Sequence, residues 1–90
     1  MPIFMIERKF AEPVAPRLNA FDELNAINDD QGVRWLYSFL SPDRLRTFCL
    51  YEAESAEAIR RAAERAGIPA DLVIEVSARV YPDGSMTPVA

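Results

Sequence analysis

Glu7, Trp35, Ser38, Cys49 and Tyr51 are the side chains of this sequence whose types and spacing suit ligand binding or chemistry. Glu7 alternates with Ile3 and Met5, which aims its carboxylate at a partly buried surface. Burial there would raise its pKa and make it a base or a ligand. The plainer reading is a carboxylate near a strand end, solvated or paired with an arginine. Cys49 sits between Phe48 and Leu50. A nucleophilic cysteine wants an electropositive, accessible setting and a base partner. The chain has no histidine to serve, so Cys49 reads first as a buried structural thiol. Trp35, Tyr37, Ser38 and Tyr51 could line a pocket at the mouth of a barrel, although aromatics at strand spacing also build cores and interfaces. Asp29 and Asp30, with Asp22, Glu23 and Asn28 nearby, offer oxygen ligands for a hard cation. They lack the glycine and terminal glutamate of a calcium loop and read as a solvated helix end. No residue is assigned a catalytic role.

Composition narrows the field further. Ninety residues make one small domain, and half of them are hydrophobic, as in a folded globular chain. The absence of histidine and the single cysteine exclude a histidine base, a Ser-His-Asp triad, an imidazole metal site and any intrachain disulfide. Ten basic residues against fourteen acidic ones, with no clustered basic face, argue against nucleic-acid binding. No apolar stretch approaches a membrane span, and the N-terminus lacks the order of a signal peptide. A cytoplasmic location is the expectation, and one free cysteine agrees with it. Three glycines leave no phosphate-cradling loop, and no CxxC or HExxH occurs.

The elements that must position these residues follow from pattern. Residues 2–10 have strand composition, with Ile3 and Met5 on one side and Phe4, Ile6 and Phe10 on the other. Residues 11–16 hold two prolines and read as a loop. Leu18, Phe21, Leu24 and Ile27 then recur at helical spacing, with Asn19 as the expected N-cap and Gly32 beyond a polar, fraying last turn. Residues 33–40 and 45–53 flank the turn signal Ser41-Pro42-Asp43-Arg44 and read as a hairpin. If Leu40 pairs with Leu45, then Arg34, Leu36 and Ser38 share a face with Thr47, Cys49 and Tyr51. Val33, Trp35, Tyr37 and Phe39 then share the other face with Arg46, Phe48, Leu50 and Glu52. Ser55 caps a helix over 56–66, with Ile59, Ala62, Ala63 and Ala66 as its buried stripe and Gly67 ending it. Residues 72–81 alternate as one strand with a clean apolar face. The order is βαββαβ, an α+β ferredoxin-like domain over residues 1–82: a four-stranded antiparallel sheet, two helices on one face, and a C-terminal tail over 83–90.

Large apolar residues on both faces of the first three strands leave one face to be covered. A homodimer with its two sheets face to face, a dimeric α+β barrel, is the expected solution.

Several segments together resemble a known family: Ile6-Glu7-Arg8, the run from Gly32 to Phe39, and Phe48-Cys49-Leu50-Tyr51-Glu52-Ala53. Glu57-Ala58-Ile59-Arg60 and the run from Ala66 to Asp71, followed by Glu75-Val76, complete the pattern. The chain is similar from about Pro2 to Val76 to a small bacterial family of unknown function described as nickel-responsive or nickel-binding. The resemblance implies a ferredoxin-like fold, a homodimer and nickel as ligand; nickel rests on the resemblance alone. Nickel commonly takes imidazole, thiolate or mixed oxygen donors, and this chain would have to use Glu7, Glu52, Cys49 or backbone groups. The leading expectation is therefore a small homodimeric binding protein, for a small molecule or a metal. The alternative is a cofactor-free dimeric α+β barrel enzyme, monooxygenase- or isomerase-like, acting on a small organic molecule. A ligand-sensing module ranks third.

Overall fold

Alternation along the first strand sets up the two sides of the molecule. In β1 (Ile3–Lys9), Phe4, Ile6 and Arg8 point to one side and Ile3, Met5 and Glu7 to the other. The computed structural model describes residues 1–15 and 18–89, with only the backbone at 18–20. The remaining elements are α1 (Leu18–Asp30), β2 (Arg34–Leu40), β3 (Arg46–Glu52), α2 (Ala56–Ala66), β4 (Leu72–Val76), β5 (Ala78–Val80) and β6 (Met86–Pro88). The main sheet runs β2-β3-β1-β4, antiparallel at every junction. This is the α+β ferredoxin-like arrangement. The core lies between sheet and helices: Phe4, Ile6, Cys49 and Tyr51 meet Val33, Ala58, Ile59 and Ala62.

Local chemistry explains the helix ends. Ser55 Oγ accepts from the Ala58 amide (3.2 Å), supplying one of the donors a helix start leaves open. Gly67, at φ 69°, lets its own amide reach Glu64 and the Ile68 amide reach Ala63, closing the other end. The small side chains of Ala58, Ala62 and Ala63 bring α2 close onto the sheet. The first helix starts at Leu18, so the backbone of Asn19, the expected cap, is already helical. Pro16 and the side chains of Leu18 and Asn19 lie outside the described residues. The polar last turn of α1 does not fray. Asn28 is buried, the Val33 amide donates to its carbonyl (2.8 Å), and Arg65 of α2 pairs with Asp30.

Two sequence expectations change in the strands. The hairpin pairs Leu40 with Thr47 rather than Leu45, because Ser41 to Leu45 form a longer connection with Arg44 at positive φ. That shift is two residues, so Ser38 still shares a face with Cys49, and Tyr37 and Phe39 with Leu50 and Phe48. A bulge at Leu36 then moves Trp35 opposite Tyr51 and Arg34 opposite Glu52, exchanging the faces expected for both. The expected single strand over 72–81 breaks at Ser77. Residues 78–80 instead pair with 86–88 as a separate hairpin. Arg79 of this hairpin donates to the Tyr37 hydroxyl (3.4 Å), at the sheet edge opposite β4. The chain thus crosses the open side of the sheet. Ile3 and Leu50, between its point of departure at Val76 and Tyr37, are buried there.

Candidate functional site

The sheet divides the residues singled out from sequence. Trp35, Ser38, Cys49 and Tyr51 come together on the helix-covered side, while Glu7 stands on the open side. Trp35 Nε1 donates to Ser38 Oγ (2.8 Å), and the bulge at Leu36 leaves both residues on the same side. Trp35 stacks on Tyr51 with centroids 6.3 Å apart and meets Phe21 of α1 at 5.8 Å. Cys49 is buried, with Thr47 Oγ1 3.6 Å from its sulfur. Glu7 pairs with Arg46 across the open side (3.4 Å), which is the plainer of its two readings.

Sequence reasoning missed two members of the covered group. Arg8 is 3% exposed, its guanidinium lies 5.6 Å from the centroid of the Tyr51 ring, and it donates to the Pro69 carbonyl just beyond α2. Asn28 is equally buried, and its side-chain nitrogen has no hydrogen-bond partner among the described residues. Both signals were present in pattern. Arg8 continues the alternation of Phe4 and Ile6, and Asn28 follows Ile27 into the buried side of α1. Burial pushes the Tyr51 phenol above its ordinary range, against the opposing pull of Arg8 and the nearby Asn28 amide. The group is rich in hydrogen-bond donors and walled by aromatic rings.

The donors do not converge on a metal. Among the described residues, no three of His, Cys, Asp and Glu gather closely enough to hold an ion. Cys49 and Glu7 lie on opposite faces of one sheet, and the chain has no imidazole. Among the described residues of a single chain, the donors present do not fit a nickel centre. Elsewhere, a groove of about 380 Å³ at the start of α2 is lined by residues including Gln31, Gly32, Ser55 and Arg61, apart from the five residues above. No helix among the described residues is long and apolar enough to cross a membrane.

Comparisons with known proteins add a relationship. No curated protein matches the chain. Among solved structures, the chain is similar to SCO4226 from Streptomyces coelicolor A3(2), known from crystal structure analysis, with a TM-score of 0.71 and 30% identity. The similarity covers 82% of this chain and 94% of that one. The model of the family described as nickel responsive protein SCO4226-like matches residues 4–76, which span both helices and all of the main sheet except Ile3. On this match and the shared fold, the chain belongs to the SCO4226-like nickel-responsive family.

Proposed function

We propose that this protein is a small homodimeric binding protein whose two copies meet through the open side of the sheet. The observation that carries the dimer is the apolar surface left there. Met5, Tyr37, Phe39, Leu72 and Ile74 are all exposed, Phe39 at 59%, although the hairpin already crosses part of this side. Contiguous apolar patches above a few hundred Å² are rare on monomers and mark contact surfaces. A second copy brings the same surface and makes a closed, self-complementary contact.

Membership of a nickel-responsive family supports metal responsiveness as the family's theme, and the donor set of this chain speaks against a centre built within one copy. An enzyme would need Glu7, Ser38 and Tyr51 in one cleft, and the sheet lies between Glu7 and the other two. Light scattering on the purified protein tests the dimer: a mass near twice 10.1 kDa is expected, and a monomer at tens of micromolar would defeat it. Calorimetric titration with nickel tests the metal. No heat of binding at micromolar metal is expected, and stoichiometric binding lost in a Glu7→Ala, Cys49→Ser double variant would restore nickel to the function.

A further inference from the structure

We infer that the buried group formed by Arg8, Asn28 and Tyr51 is a binding site for the carboxylate of a small organic molecule, enclosed between the sheet and α1. The inference rests on the reading of the protein as a binding protein and names the ligand class. Three observations meet here. Arg8 carries a full positive charge at 3% exposure, and no carboxylate pairs with it among the described residues. A buried charge is costly unless it is paired and hydrogen-bonded. The Pro69 carbonyl and the Tyr51 ring face offset that cost without neutralising it. Asn28, which like Arg8 faces the Tyr51 hydroxyl, holds an amide nitrogen that completes no hydrogen bond of normal geometry among the described residues, a rare condition for a buried polar group. Tyr51 adjoins both and can turn its hydroxyl hydrogen toward an incoming oxygen.

The missing partner is therefore an acceptor with negative charge. One guanidinium balances one negative charge, and its planar fork matches the two oxygens of a carboxylate. Phosphate carries more charge than this single cation offsets. Half-buried Phe21 and Trp35, which stack beside Tyr51, supply an apolar wall for the rest of the ligand.

The test is an NMR titration of the full-length protein with benzoate, acetate and phosphate in separate arms, following the Asn28 side-chain amide and the Arg8 Nε–H. Saturable shifts of both signals with benzoate, weaker ones with acetate and none with phosphate are expected. Asn28→Asp places a carboxylate beside Arg8, so the ligand-free variant should melt higher than the parent. Its benzoate affinity should fall by about tenfold or more, the scale of a lost charge-assisted hydrogen bond. Absence of saturable shifts with either carboxylate overturns the proposal, as does saturation by phosphate alone or benzoate binding that Asn28→Asp leaves intact. The titration on the parent protein decides even where the variant fails to fold. Solution mass is read separately, so a monomer that binds benzoate would end the dimer reading and leave this one standing.

Discussion

The two faces of the sheet are built from the same strands and have opposite fates. On the helix-covered side, Phe4, Ile6, Cys49 and Tyr51 are almost wholly buried. On the other side, Met5, Phe39 and Ile74 remain exposed although they are as apolar, and only Ile3 and Leu50 are buried, under the crossing chain. Alternation with period two puts adjacent residues on opposite faces, so composition cannot say which face is covered. The covered face also holds the polar residues Arg8 and Asn28, which α1 and α2 seal from water. The open face keeps its charged pair, Glu7 with Arg46, in contact with solvent. Polar groups on the covered side are thus few and costly, while those on the open side are screened and cheap.

Perturbing the two faces should have different consequences. The largest effect is expected from Ile59→Ala, which empties a wholly buried position under the covered face. Chemical denaturation should show a loss of about 2–5 kcal/mol, and a loss below ~1 kcal/mol would mean that the helices do not seal the core as described. Phe39→Glu on the open face should instead leave the secondary structure intact by circular dichroism while converting dimer to monomer in light scattering. A dimer that tolerates the charge would move the contact elsewhere.

Smaller effects sharpen the same contrast. Ser55→Ala removes the cap that orients α2 over the covered face and should cost about 1 kcal/mol in urea unfolding. Tyr51, with its pKa raised chiefly by burial, contributes stability that is complete below the pKa of an unfolded tyrosine. That contribution is lost as pH rises through the folded value. Melting temperatures measured above pH ~10 should therefore fall less steeply for Tyr51→Phe than for the parent. The smallest change is expected at the exposed pair Arg61 and Glu57. Its removal should shift stability by no more than about 0.5 kcal/mol, at the edge of detection by differential scanning calorimetry.

Much of the fold was legible before any coordinates. Ser55 and Gly67 bracket α2 because a hydroxyl before a helix and a glycine after it satisfy groups the helix cannot satisfy itself. The alternation of residues 3–6 and the turn at Pro42 placed the first three strands. The candidate site was less legible. Trp35 was placed on the opposite face, because a bulge at Leu36 has no sequence mark as strong as a glycine or proline. Arg8 drew no role from its sequence setting, and only the approach of α2 and Pro69 makes it a buried charge. The segment after Val76 was misread for a related reason. Its alternation continues unbroken through Ser77, yet the chain leaves the sheet there and pairs with Met86 to Pro88.

By itself, the order of residues determined the two helices, the ends of α2, the βαββαβ order and the exclusion of imidazole chemistry, since each depends on groups a few positions apart or on composition alone. Tertiary structure decided which side each strand residue occupies, that Glu7 and Tyr51 never meet, and that Arg8, Asn28 and Tyr51 do. Those outcomes depend on contacts between residues such as Arg8 and Pro69, far apart in the chain, and become definite only when the helices close over one face of the sheet.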